Sequence, residues 1–319
     1  MTDIFTILKE RLPNIQKNIP LKVHTTFKIG GSAEYFLTAS KKDDVVSAIQ
    51  LAKKIKLPIF VFGGGSNLLV ADKGIRGLVI KIENSADIYV KDNDMIVHAG
   101  VPMKALVEVS IRNSLAGLEW AGGLPGTFGG AIRGNAGAFG GEMKDAIFSV
   151  EALDNRLVLR QLNHTQCQFA YRTSIFKKKN WIILSATVRL KKGNKKQLQD
   201  IAKSHIAYRQ EKHPLEYSNA GSVFKNIPVK GLAPKYQKEF ADKIKQDPFL
   251  IVPAAWFIIG AGLAGKKIGG AQISKKHSNY IVNTGKATAK DVLLLIQTVK
   301  KKVKQKYGIN LEMEVQYVK

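Results

Sequence analysis

The chain has 319 residues, enough for two or three domains with a substantial core, and 45% hydrophobic with 8% aromatic residues place it among ordinary globular proteins. One cysteine, Cys167, excludes a disulfide framework and points to a reducing, cytoplasmic setting. Fifty Lys and Arg against 25 Asp and Glu give a formal net charge of +25; the excess is mostly lysine and no nucleic-acid motif accompanies it, so it reads as solvated faces that also steer phosphorylated ligands.

From the N-terminus, MTDIFTILKERLPNIQ carries acidic residues on an amphipathic pattern, which predicts a short surface helix and excludes a secretory signal. Residues 33–38 read as a strand, and 42–55 as a helix with Val45, Val46, Ile49 and Ala52 on one face. Residues 58–62 read as a buried strand and 77–82 as another. Between them Phe62-Gly-Gly-Gly-Ser-Asn67 sets a glycine cradle at a strand end. Short strands at 88–90 and 95–99 and a helix over 102–113 follow.

The stretch 118–143, LEWAGGLPGTFGGAIRGNAGAFGGEM, holds nine of the 28 glycines between Gly122 and Gly141. Each glycine costs a helix or strand about 0.5–1 kcal/mol relative to alanine, so such density answers a need for positive φ or close backbone approach. Trp120, Leu124, Pro125, Phe128, Ile132 and Phe139 are interleaved as anchors, which a flexible linker lacks. Two glycine cradles of exposed N–H groups suit a pyrophosphate.

Apolar runs at 146–153 and 181–190 bracket Phe169-Ala-Tyr-Arg-Thr-Ser174, and 194–209 predicts a helix with Asn194 as N-cap. The composition shifts at 211–214, where a domain boundary is placed. Residues 248–265 run 18 positions without a charge, but Pro253, Gly260, Gly262 and Gly265 divide them into two buried pieces instead of a membrane span. Thr288 and Asp291 cap a final helix with Val292, Leu295, Ile296, Val299 and Val303 as its stripe and Gly308 as its stop. Residues 311–318 alternate as a terminal strand, with Glu312 and Glu314 on one face.

Gly260-Ala-Gly-Leu-Ala-Gly265 matches the dinucleotide fingerprint formally. The residues before it look helical, no helix follows, and no acidic residue appears until Asp291, so a Rossmann site is excluded. Neither glycine cluster ends in Gly-Lys-Ser/Thr, so Walker A is absent too. The six histidines lack ligand spacing, so no metal site is expected and most read as surface or loop residues; Cys167 reads as a free buried thiol. Arg172, Ser222 and Glu314 stand in unusual settings. Arg172 follows apolar neighbours and, if buried, needs a carboxylate partner; Ser222 sits in a tight turn. Spacing alone links none of them, and each is open to a structural reading.

Together these stretches resemble the UDP-N-acetylenolpyruvoylglucosamine reductase family over nearly the whole chain. The motifs are His24-Thr-Thr-Phe-Lys-Ile-Gly-Gly31, Gly63-Gly-Gly-Ser-Asn67, Gly123-Leu-Pro-Gly-Thr-Phe-Gly-Gly130, Asn135-Ala-Gly-Ala-Phe-Gly140, Phe169-Ala-Tyr-Arg-Thr-Ser174, Ala220-Gly-Ser-Val-Phe-Lys-Asn226, Gly269-Gly-Ala-Gln-Ile-Ser274 and Leu311-Glu-Met-Glu-Val315.

The resemblance implies an α+β fold: a two-subdomain FAD-binding module of the vanillyl-alcohol-oxidase type at 1–84 and 85–205, and a C-terminal α+β substrate domain at 206–319 whose last strand packs back on the first subdomain. It implies bound FAD, with its pyrophosphate between the cradles, and Thr25, Thr26, Gly63, Gly64, Gly65, Ser66, Asn67, Gly123, Pro125, Gly126, Thr127, Gly129, Gly130, Asn135 and Gly137 as the cofactor-binding residues. NADPH would reduce the flavin, which passes hydride to an enolpyruvyl UDP-sugar in peptidoglycan precursor synthesis. Arg172 and Glu314 would stabilise the enolate-like state and Ser222 would donate the proton. Tyr171, Lys212, Asn226 and His277 would bind substrate, in a cytoplasmic monomer with no nucleic-acid partner.

Only 49 residues separate Arg172 from Ser222, which suits the shorter subtype lacking a substrate-closing loop. The stretch 227–255 is longer than the family pattern, and an extra helix around 235–245 is expected beside the substrate cleft. Two rivals remain: an FAD oxidase of an alcohol or sugar, and a basic nucleic-acid-binding protein.

Overall fold

The computed structural model describes residues 3–83 and 87–319. The chain forms two compact units, each assembled from separated stretches. The first takes the chain up to Ile19, Ala33–Gly64 and Arg76–Ile206; the second takes Pro20–Ser32, Gly65–Ile75 and Ala207–Lys319. Composition places a boundary at 211–214, but the helix begun at Lys195 continues to Lys212 and the division falls inside it, after Ile206.

Two cores build the first unit. In one, strands run in the order Gln16–Pro20, Ser32–Ala39, Ile75–Ile82, Ile59–Phe62, the last two parallel. Ser32–Ala39 buries Ala33, Tyr35, Leu37 and Ala39 at period two, and helix Lys42–Lys54 buries Val45, Ala48, Ile49 and Ala52 at spacings of three and four, so these faces close on each other. Of Ile59–Phe62 only Phe62 is fully buried, because this strand lies at the sheet's edge.

The other core lies on an antiparallel sheet ordered Leu159–Asn163, Ile147–Leu153, Ile182–Arg189, Asp94–His98, Ile88–Lys91. Helices Met103–Arg112 and Phe128–Gly134 contribute Leu106, Val107, Phe128 and Ile132 to it. Cys167 is buried here, and burial pushes its thiol up to about 12. His98 is 8% exposed in its strand, where its Nδ1 accepts from the Gly100 N–H at 3.1 Å.

The second unit pairs Ser218–Ser222, Tyr280–Asn283, Ala271–Ile273 and Lys267–Ile268 as an antiparallel sheet. Helix Ala289–Tyr307 lays Val292, Leu295, Ile296, Val299 and Val303 into its core. Thr288 and Asp291 form the capping box, and Gly308 ends the helix at φ +72°. The Asp72 carboxylate adds a second cap, accepting from the N–H groups of Ala289 and Lys290 at 2.8 and 3.1 Å.

The apolar run 248–265 does split, into strand Leu250–Val252 and helix Ala254–Gly260, and no helix among the described residues is long and apolar enough to cross a membrane. The extra helix is Pro234–Glu239, shorter than expected. Tyr236 meets Tyr307 edge-on and the following Phe240 lies tilted against Phe257, with ring centres 5.2 and 4.7 Å apart, which gives the long segment a packing role. The terminal strand is also shorter: it is Gln316–Val318, paired parallel to Leu68–Val70. Upstream of it Met313 bridges to Phe224, Glu312 turns out to meet Lys225 at 2.5 Å, and Tyr317 is 40% exposed.

Candidate active site

Close approach explains Gly63 and Gly64 in the first unit. A Cβ on Gly63 would stand 2.0 Å from the Thr127 hydroxyl, and one on Gly64 would stand 2.8 Å from the Cα of Gly126. Gly123 and Gly126 adopt φ +72° and +99°, open only to glycine at low cost. The loops are fixed from behind: the N–H groups of Phe128 and Gly129 donate to the carbonyls of Val101 and Ala99 at 2.8 Å each.

Further along, Asn135 is fully buried at φ +43°. Its Nδ2 donates to Glu142 and to the Ala170 carbonyl at 3.3 and 3.2 Å, and its Oδ1 accepts from the Lys144 N–H at 3.0 Å. Asn135 therefore clamps the glycine loop to the segment carrying Tyr171 and Arg172. Arg172, half-buried at φ +55°, donates from Nη2 to the Gly137 carbonyl at 3.0 Å, and its guanidinium stands 4.9 Å from the Tyr171 ring centre. A backbone carbonyl thus holds one arm of the guanidinium.

In the second unit, Thr26 donates its hydroxyl to the Asn219 carbonyl at 2.7 Å, and Gly65, at φ +62°, packs so that a Cβ would stand 2.4 Å from the His24 carbonyl. Asn67 donates to the Glu314 carbonyl at 3.1 Å. The Glu314 N–H in turn donates to the Val223 carbonyl at 2.8 Å, so the backbones of Ser222 and Glu314 run side by side. Ser222 is the cross-strand partner of Tyr280, whose phenol burial pushes up to about 12.

Lys212 lies exposed at its helix end beside Glu211, at 2.5 Å. The Oδ1 of Asn226 accepts from the Ala254 N–H at 3.2 Å, capping helix Ala254–Gly260. His277 is half-buried, and burial lowers its basicity. The first unit thus holds Arg172, Tyr171 and the glycine loops, and the second holds Ser222, Glu314, His277, Thr25, Thr26 and Asn67.

Comparison with known proteins adds the deciding observations. The model for the UDP-N-acetylenolpyruvoylglucosamine reductase C-terminal domain matches residues 213–318, and that for an FAD binding domain matches residues 33–156. A protein named UDP-N-acetylenolpyruvoylglucosamine reductase, from Caldanaerobacter subterraneus subsp. tengcongensis, is 39% identical over 98% of this chain and 98% of its own. The chain belongs to the UDP-N-acetylenolpyruvoylglucosamine reductase family.

A second reductase of that name, from Clostridium kluyveri, is 38% identical over 96% of this chain and 94% of its own. The crystal structure of the Thermus caldophilus reductase superposes with a TM-score of 0.75 at 29% identity, covering 96% of this chain and all of that one.

The residues fit the FAD that this reductase family's binding domain implies. Thr25 is buried, and its Oγ1 has no hydrogen-bond partner among the described residues, the condition of a donor reserved for a ligand. The narrow gap at Gly63, Gly64 and Gly126 leaves backbone with no room for side chains.

Sequence reasoning missed Tyr280, His213 and Arg209 in this reductase. The Tyr280 hydroxyl lies 3.2 Å from His213 Nδ1, and the buried Arg209 guanidinium acts on the same phenol. A tyrosine within an apolar strand and a histidine before a proline carry no pattern of their own. Only strand register brings them together.

Proposed function

We propose that the chain reduces UDP-N-acetylglucosamine enolpyruvate to UDP-N-acetylmuramate in peptidoglycan precursor synthesis, with FAD bound and NADPH as electron donor. The observation that carries the reading is the pairing of Ser222 with Glu314 on adjacent backbone beside Tyr280, in a chain of this family. Bound FAD would accept hydride from NADPH and deliver it to the enolpyruvyl methylene carbon, leaving negative charge on the neighbouring carbon and its carboxylate.

The protein's task is to hold that charge and quench it. Arg172 supplies a fixed positive charge, preorganised by its bond to Gly137. Glu314 is assigned, with Arg172, to the stabilisation of the enolate-like state. Ser222 gives its proton to the carbanionic carbon, a base strong enough to take it from an alcohol. Lys212 and Asn226 are assigned to the diphosphate and sugar, and Tyr171 and His277 to the remaining substrate contacts. The Lys212–Glu211 pair is exposed and so exchanges readily for a phosphate.

FAD is assigned to Thr25, Thr26, Gly63, Gly64, Gly65, Ser66, Asn67, Gly123, Pro125, Gly126, Thr127, Gly129, Gly130 and Gly137, with Asn135 acting through the loop that it clamps. The three apolar clusters support a division into two FAD subdomains and a substrate domain. A cytoplasmic monomer without a nucleic-acid partner completes the reading.

The test is the visible spectrum of the purified protein, followed by NADPH with and without the enolpyruvyl UDP-sugar. A yellow protein bleached by NADPH and recoloured by the sugar under anaerobic conditions is expected. A colourless protein that FAD cannot reconstitute, or recolouring by oxygen alone, overturns the reading.

A further inference from the structure

We propose that Tyr280 and His213 form a proton relay that refills Ser222, with Tyr280 as a positioning residue whose hydroxyl passes its proton to the serine oxygen as the serine protonates substrate. This rests on the reading of Ser222 as the proton donor.

The geometry is a row of hydroxyl and imidazole side chains within the second unit. Ser222 and Tyr280 are cross-strand partners, so their side chains leave the same face of the sheet. The phenol oxygen lies 3.2 Å from His213 Nδ1, and the two rings are centred 5.2 Å apart. His277 stands edge-on to both, at 5.5 Å from His213 and 4.8 Å from Tyr280, and fixes their orientation. Tyr280 is 7% exposed, whereas His213 is half-buried, next to exposed Lys212. The row therefore runs from the interior toward water.

The protons balance without redox chemistry. The Ser222 O–H bond breaks as a C–H bond forms at the carbanionic carbon. The Tyr280 O–H bond breaks as the serine O–H re-forms. His213 Nδ1–H then protonates the phenolate while Nε2 takes a proton from water, so the imidazole ends neutral in its other tautomer. A serine alkoxide left in a buried site is very costly, which favours transfer in concert.

The phenol is well matched to this role. Burial pushes it up to about 12, with Glu314 adding to the rise and Arg209 and Ser222 opposing it. It remains a far stronger acid than an alcohol. Burial, then His277, Arg209 and Lys276, bring His213 down to about 4, so at neutral pH it relays as a neutral ring; Tyr208 is the other titratable group packed on it, and Lys245 acts on His277.

The experiment is stopped-flow reoxidation of NADPH-reduced enzyme by the enolpyruvyl UDP-sugar, in mixtures of H2O and D2O, for the wild type, Ser222→Ala, Tyr280→Phe and His213→Gln. Expected are an unchanged rate of flavin reduction in all four and loss of reoxidation in Ser222→Ala. Tyr280→Phe and His213→Gln should reoxidise about 10–100-fold more slowly with KM within twofold. The bowed dependence of rate on deuterium fraction in the wild type should become linear in Tyr280→Phe.

If Ser222→Ala reoxidises at the wild-type rate, the serine reading falls and the relay with it. If Ser222→Ala is dead while Tyr280→Phe is as fast as wild type, the relay alone falls. A slow Tyr280→Phe that keeps the bowed isotope dependence also overturns the relay and leaves the tyrosine as packing. In 15N spectra of the protein without substrate, Tyr280→Phe should change the proton distribution over the His213 ring; identical spectra count against the relay.

Discussion

Gly64 and Gly126 meet so closely that a methyl group on Gly64 would stand 2.8 Å from the Cα of Gly126, with the neighbouring Gly63 equally crowded by Thr127. No rotamer change relieves a clash with backbone. Gly64→Ala must push the two loops apart, at about 1–3 kcal/mol by analogy with overpacked cores. If these loops hold FAD, the variant should bind it at least about tenfold more weakly while the protein stays folded. Fluorescence titration of FAD into apoprotein measures this, and an unchanged affinity would remove the loops from the cofactor site.

Ser222→Ala separates binding from chemistry. The hydroxyl is not needed for electron entry, so NADPH should bleach the flavin at the wild-type rate. Subsequent recolouring by the enolpyruvyl sugar should fall about 100-fold or more. Rapid-mixing absorbance resolves the two steps, and equal loss in both would assign Ser222 to folding or cofactor retention.

Acid should destabilise the fold through its buried histidines. Burial is the leading cause of the depressed basicity of His98, His277 and His213, the last brought to about 4 from an ordinary value of 6.5. Between those limits the unfolded chain binds more protons than the folded one, so stability is fully present above pH 6.5 and is lost as pH falls toward 4. Urea midpoints should decline across this window, and His213→Gln should flatten the decline. A wild-type midpoint constant from pH 7 to 4 would be incompatible with neutral buried imidazoles.

Asp72→Ala should cost about 1 kcal/mol, the usual value of a lost helix cap, because the capping box at Thr288 and Asp291 survives. Asp72→Asn keeps one of the two accepting oxygens and sets an amide NH2 where the other stood, so it should recover part of the loss through the Ala289 bond. Chemical denaturation of the pair tests this; equal losses would show that charge and not hydrogen bonding holds the helix start.

What the residues reveal in advance follows the range over which each feature is determined. Helix Ala289–Tyr307 is legible from Thr288 to Gly308 because cap, stripe and stop all lie within it. The glycine loops stand out because a backbone forced through φ values such as those of Gly123 and Gly126 has few residues to choose from. The terminal strand misleads: alternation through 311–318 is real, yet residues 311–315 are drawn to Phe224 and Val223 before pairing resumes at Gln316. Tyr280 and His213 are invisible, since a contact across 67 positions depends on register that neither residue encodes. The same holds for units built from segments as far apart as 20–32 and 207–319.

The Asp72 cap and the pairing of Leu68–Val70 with Gln316–Val318 also bear on the order of folding. Residues 76–206 leave the second unit and return to it, so most of the first unit is a guest inserted in a host. The host closes a loop of nearly 250 residues when Asn67 meets Glu314, an entropic cost that falls if the guest is already compact. These host contacts then belong to the late side of the folding barrier. Weakening them should hasten unfolding and leave the rate of folding almost untouched.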